Sequence, residues 1–375
     1  MNAVKDVADQ NQESSTNETN KRNQLRLEKP RVYEKVIQYE EKVKRGESIA
    51  ILQFQYDYTC NFHCEHCSAD NFMIKKRSDR EADERRFFNL DDVRELSRQG
   101  DEMGLAHIVI TGGEPLVYPD FDQVVEAIDP SKWYISSDSN GWHLDKARAK
   151  HLKAIGVDKI QLSLDSFRRE EHDKFRQKEG SYDRILRAVD ACQEAGLNLI
   201  FQTVIWKERC KSQEFIDYLE YAKSKGVGTY VTFAKPVGAW EGRMEVLCGD
   251  EEWNYVHDLA KEYDVFTHLT PGYGIDIGCI AVKRMVSVTK YGDIMPCPYT
   301  HTSLGNFFEE PLEKIINRGL SLKSFSYGQK HLCLVGNKDD PFIEAKMHRM
   351  YGKPVPVPMN EVFDDEDFVT GKPFD

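Results

Sequence analysis

Short runs rich in β-branched and aromatic residues recur along the chain at 49–55, 106–110, 133–136, 159–164, 199–204 and 230–233, and each predicts a strand. Between them the apolar positions fall at helical spacing. In 181–195 Ile185, Val189 and Cys192 recur every three or four residues, and in 214–225 Phe215, Leu219 and Ala222 do the same. Strands alternating with helices predict a parallel sheet covered on its outside. Such units wind right-handedly and carry their functional loops at the C-terminal strand ends. The fold class expected is α/β, a partial (β/α)6 TIM-like barrel.

After Trp240 the pattern changes to short runs punctuated by Gly272, Gly274, Gly278, Gly292 and Pro296, which predicts a small α+β unit. Runs at 285–289 and 294–295 predict a hairpin around Tyr291-Gly292-Asp293, with Cys279 and Cys297 at its base. Residues 2–21, rich in Asn, Gln, Glu, Ser and Thr, cannot bury enough apolar surface to offset ordering and are expected to be disordered. Pro354-Val355-Pro356-Val357-Pro358 excludes a regular helix there, and an extended surface tail is expected. The chain is expected to divide into a disordered segment 1–30, a barrel 31–245, an auxiliary domain 246–340 and a C-terminal tail 341–375.

Composition narrows the classes. The 375 residues are 40% hydrophobic, enough for a substantial core, and the net charge of −12 disfavours a general nucleic-acid or anionic-membrane binder. No signal-peptide core or membrane-length apolar run is present, so a cytoplasmic location is expected. In that compartment nine cysteines read as ligands, catalytic groups or buried thiols rather than disulfides.

Three of them, Cys60, Cys64 and Cys67, form C-x3-C-x2-C directly after the first predicted strand. Three thiolates on one loop can hold three irons of a [4Fe–4S] cube and leave the fourth open. His63 and His66 in the same loop raise a zinc alternative, but zinc sites take four ligands, commonly from two separated pairs. Ile110-Thr111-Gly112-Gly113-Glu114-Pro115 follows the second strand. The cysteine loop and this GGEP segment, one βα unit apart, resemble the radical S-adenosylmethionine (SAM) enzymes. The resemblance covers most of residues 48–336.

The resemblance implies a cluster that chelates SAM and cleaves it to a 5′-deoxyadenosyl radical, which abstracts hydrogen from the substrate. It implies that His66 meets adenine, that Gly112 and Gly113 let backbone approach the methionyl group, and that Glu114 accepts from the SAM ammonium. Ser139-Asn140-Gly141 resembles the family's TNG turn, and Ser163-Leu164-Asp165 its S-x-D segment. Strand alternation places Ser163 and Asp165 on one face; the resemblance implies that this face contacts SAM, with Ser163 toward the methionyl carboxylate and Asp165 toward ribose or substrate. Gln202 is a further ribose candidate, and the turn at Lys235-Pro236-Val237-Gly238 a backbone contact to adenine.

Cys279 and Cys297, spaced C-x12-G-x4-C, and the later Cys333 resemble the ligands of SPASM and twitch domains. One auxiliary [4Fe–4S] cluster is implied, its fourth ligand being substrate, solvent, Cys248, His301 or His331. Cys192 reads as core and Cys210 is unassigned. Auxiliary clusters in such relatives accept an electron or hold substrate, which points to oxidation (dehydrogenation) of a small molecule. The alternative is a peptide-maturing enzyme forming a crosslink, thioether or epimer; the non-enzyme alternative is an Fe–S electron carrier. A flavodoxin- or ferredoxin-like electron donor is implied as partner. Tyr273, Asp276 and His301 lie near the auxiliary ligands, yet none is assigned as the catalytic base.

Overall fold

The computed structural model describes residues 23–74, 83–271, 275–328 and 332–369. After a helical stretch at 23–28 come α1 (Pro30–Val36) and α2 (Tyr39–Lys44). The barrel runs β1 (Ile51–Asp57), α3 (Leu90–Glu102), β2 (His107–Gly112), α4 (Phe121–Ile128), β3 (Tyr134–Ser139), α5 (Lys146–Ala154) and β4 (Lys159–Ser163). It continues with α6 (Arg169–Arg176), α7 (Ser181–Ala195), β5 (Asn198–Ile205), α8 (Lys207–Cys210), α9 (Gln213–Ser224) and β6 (Gly228–Phe233). Strands β1 to β6 pair in parallel and in chain order, as the sequence pattern predicts.

Beyond β6 lie α10 (Asp250–Leu259), β7 (Val265–Phe266), β8 (Met285–Val288), β9 (Ile294–Met295), β10 (Thr302–Ser303), α11 (Leu312–Ser321), α12 (Phe342–Ala345) and β11 (Val357–Pro358). The predicted hairpin forms, with β9 antiparallel to β8. β8 also pairs in parallel with β1, Ile51 opposite Met285. The auxiliary unit therefore extends the barrel sheet at its first strand.

The lower end of the barrel is closed by the N-terminal helices. Lys35 Nζ, buried, donates to the carbonyls of Leu105 (2.8 Å) and Lys132 (2.7 Å) and pairs with Asp101 (2.6 Å). Lys29 Nζ reaches the Trp133 carbonyl at 2.7 Å and Asp158 at 2.5 Å. These anchors precede β2, β3 and β4, so the opposite, C-terminal ends stay free for function. They also correct the extent of the expected disorder: residues 23–30 belong to the helical cap, because two lysines tie the segment to strand-end carbonyls. Residues 1–22 lie outside the described residues.

The last segment differs from an extended tail. Phe342, Met347, Val357, Val362, Phe363 and Phe368 are buried, and β11 pairs in parallel with β10. Apolar residues flanking the proline run hold it against the domain, where burial of each large side chain contributes roughly 1.5–3 kcal/mol.

Candidate active site

The cysteine loop leaves β1 and is gripped by backbone. The Gly113 N–H donates to the Asp57 carbonyl and the Glu114 N–H to the Thr59 carbonyl, both at 2.9 Å. A Cβ on Gly113 would lie 2.1 Å from the Thr59 oxygen. At Gly112, φ is +118° and a Cβ would stand 2.2 Å from the Asp57 oxygen. On the far side, a Cβ on Gly238 (φ +62°) would sit 2.2 Å from the Cys67 oxygen, which accepts from the Ala239 N–H at 2.9 Å. The close approach permitted by these glycines is thus to the backbone flanking the cysteines.

Cys60, Cys64 and Cys67 line one cavity of about 180 Å³ with His66, Gly112, Gly113, Glu114, Ser163 and Gln202. The loop after β1, the ends of β2 and β4, and β5 thus bring these residues to one cavity. Burial pushes the Cys60 and Cys67 thiols up to about 12 and raises Cys64, so as free thiols they stay protonated. The Phe62 N–H donates to Cys60 Sγ at 3.4 Å and Arg176 Nη1 to Cys64 Sγ at 3.7 Å. Donors aimed at sulfur favour the thiolate, which is the ligand form.

Asp165 is placed differently from its expected position. β4 ends at Ser163 and the Leu164 N–H turns to the Leu162 and Gln202 carbonyls, so alternation stops before Asp165. Its carboxylate takes Arg176 Nε at 2.6 Å and the Val204 N–H at 3.1 Å, and it does not line the cavity. Burial alone would raise its pKa; Arg176 holds it well below the usual carboxylate range. Asp165 therefore orients Arg176, which does line the cavity and which sequence reasoning missed.

Glu114 is buried, and burial raises its pKa to about 7. Its oxygens accept from the Asn140 N–H (2.6 Å), the Ser139 hydroxyl (2.9 Å) and the Leu116 N–H (3.1 Å). The two family-like segments after β2 and β3 are thus joined by one carboxylate. His66 stacks on Phe175 with ring centroids 4.3 Å apart and planes 7° apart, and burial lowers its pKa to about 3. His66 Nδ1 and Trp240 Nε1 are buried at this cavity with no hydrogen-bond partner among the described residues, a sign of a site shaped for a polar ligand.

A second cavity, about 170 Å³, is lined by Cys279, Cys297 and Cys333 together with Gln53, His107, Gln161, Tyr230 and His268. All three thiols are buried. Asp138, Gln202, Thr232, Lys235 and Tyr299 line both cavities. Asp138 closes the list of residues missed from sequence: burial raises its pKa, and Gln161 Nε2 donates to it at 2.5 Å.

Two of the fourth-ligand candidates, Cys248 and His301, do not line this cavity. Cys248 is buried against Cys210, its free thiol hydrogen-bonded to that sulfur. His301 Nε2 faces the Pro298 carbonyl at 3.2 Å and its ring abuts Phe72. Asp276 accepts from the Gly278 N–H at 3.1 Å, away from the cavity lining. Tyr273 and His331 lie outside the described residues. Cys192, fully buried on α7, is core as expected.

Among the described residues, no three His, Cys, Asp or Glu side chains converge on a single ion position. An iron–sulfur cube is larger than an ion and takes thiolates standing farther apart. Both cysteine sets, sulfur-rich and opening onto cavities, fit such a group in donor chemistry.

Comparison with known proteins agrees. Residues 58–222 match the radical SAM superfamily, and residues 279–335 match the SPASM iron-sulfur cluster-binding domain. The chain is a radical SAM enzyme with a SPASM-type C-terminal domain, and its cofactors are SAM and [4Fe–4S] clusters. It is 25% identical over 284 residues to an AdoMet-dependent heme synthase of Methanosarcina barkeri, covering 68% of this chain and 78% of the relative. It is 28% identical over 283 residues to a GTP 3′,8-cyclase of Helicobacter pylori, covering 69% and 82%. The fold is similar to that of Streptococcus suis SuiB bound to the precursor peptide SuiA, with TM-score 0.56, 18% identity, and 74% and 67% of the two chains covered. No helix among the described residues is long and apolar enough to cross a membrane.

Proposed function

We propose that this enzyme oxidises a small molecule held between its two cysteine sets. The observation that carries the reading is the shared wall of the two cavities, Asp138, Gln202, Thr232, Lys235 and Tyr299. Cys60, Cys64 and Cys67 hold the SAM-binding cluster, and Cys279, Cys297 and Cys333 an auxiliary one. Together, when bound, these groups supply a hydrogen-abstracting radical at one end and a one-electron acceptor at the other. Ser163, Arg176 and Gln202 orient SAM, and the ring of His66 flanks its adenine. Glu114 keeps the turns after β2 and β3 in register. Oxidation of an alcohol or amine carbon also releases a proton, and the Asp138 carboxylate at the junction accepts it.

The residues of the shared wall, Asp138, Gln202, Thr232, Lys235 and Tyr299, offer several polar groups that suit a small polar molecule. The names of the heme synthase and GTP cyclase relatives point the same way. Reconstituted enzyme would be incubated with SAM, reductant and either a peptide-free metabolite fraction or a peptide fraction from cells grown in deuterated medium. Deuterium entering 5′-deoxyadenosine from the metabolite fraction is expected. Transfer from the peptide fraction alone would replace this reading with peptide maturation.

A further inference from the structure

A cluster buried in the barrel mouth must receive its electron through the protein surface. The outer side of the cysteine loop carries a feature suited to that step. Phe62, between Cys60 and Cys64, is buried, and its ring meets Trp142 edge-on with centroids 5.7 Å apart at 82°. Trp142, half-buried, is covered by two cations: Lys178 Nζ lies 4.7 Å and the Arg184 guanidinium 4.9 Å from its ring. Lys178 also faces the Phe62 ring at 5.9 Å.

The neighbouring cations are neutralised. Arg168 pairs with Glu171 at 2.9 Å, Arg169 with Asp183, and Lys146 and Lys150 with Glu194 at 2.5 and 3.3 Å. Lys178, Arg184 and the exposed Lys174 have no carboxylate within 4.0 Å among the described residues. In a chain of net charge −12, an unpaired cationic patch on the rim of the cluster loop is a local reversal of sign.

We infer that Lys178, Arg184 and Trp142 form the docking surface for an acidic one-electron carrier protein. Charge complementarity selects the partner and speeds encounter, and the Trp142–Phe62 contact brings its redox group toward the sulfur of Cys60. In the step that follows, the carrier loses one electron and the cluster at Cys60, Cys64 and Cys67 gains it, with no atom transferred. The inference rests on those cysteines being cluster ligands and is independent of the substrate.

The test compares the wild-type holoenzyme with a K178E/R184E variant, using flavodoxin hydroquinone, a reduced plant-type ferredoxin and dithionite as donors. Cluster bleaching is followed by stopped flow and carrier affinity by calorimetry. At low salt the variant is expected to lose roughly tenfold or more in carrier-driven reduction and affinity, and wild type to lose a similar factor on adding salt. Reduction by dithionite should be equal in both, showing an intact cluster. Equal carrier rates in the two proteins would overturn the docking surface, as would a dithionite-reducible wild type that neither carrier reduces. A wild-type protein that dithionite cannot bleach would instead overturn the cluster assignment itself.

Discussion

Arg176 bridges Asp165 and Cys64: its Nε donates to the carboxylate at 2.6 Å while its Nη1 reaches the thiol at 3.7 Å. Both charged groups are buried, so removing one strands the other. Asp165→Asn is expected to destabilise the cluster-free protein by roughly 3–5 kcal/mol, measured by urea unfolding. The pH dependence has a fixed sign. Because the folded pKa of Asp165 is depressed, its contribution is fully present above the unfolded value near pH 4 and is lost as acid takes the pH down through the folded value. The wild-type advantage over the variant should therefore shrink on acidification below about pH 4, and an advantage unchanged there would contradict the ion pair.

Gly113→Ala tests the grip on the cysteine loop. A methyl 2.1 Å from the Thr59 oxygen cannot be absorbed by a flexible side chain, so the loop must move. Iron at the first site should fall while the auxiliary site keeps its iron, read by iron and sulfide analysis in a background lacking one cysteine set or the other. Full iron occupancy at both sites would show that the loop tolerates displacement.

Cys248→Ser distinguishes core packing from ligation. Cys248 lies against Cys210 and outside the cavity of Cys279, Cys297 and Cys333, so the substitution should leave auxiliary iron content and its paramagnetic resonance spectrum unchanged. A modest stability loss of about 1 kcal/mol is the expected cost of a hydroxyl in that apolar position. Loss of auxiliary iron would make Cys248 a ligand.

The parts of the site carried by local sequence were legible in advance. Cys60, Cys64 and Cys67 share one loop, Gly112 to Glu114 follow a recognisable strand, and Cys279 and Cys297 flank a hairpin that forms where the pattern placed it. What depended on where a strand ends was not legible. Ser163 and Asp165 share a parity, but β4 stops between them and their side chains part. Arg176 and Asp138 escaped notice because neither stands in a marked motif; each is placed by partners far along the chain, Asp165 and Gln161 respectively. The glycine pair was recognised but its neighbour was not: it packs against residues 57–59, a contact between chain segments that spacing alone does not reveal.

The most direct measurement is SAM cleavage by anaerobically reconstituted, dithionite-reduced protein, compared with two triple variants. Wild type and Cys279/Cys297/Cys333→Ala should both form methionine and 5′-deoxyadenosine, since the first cavity is built from other residues. The Cys60/Cys64/Cys67→Ala protein should form neither while keeping auxiliary iron. Cleavage surviving loss of Cys60, Cys64 and Cys67, or no cleavage by a wild type whose clusters are intact and reduced, would contradict the assignment of the first cavity as the radical-forming site.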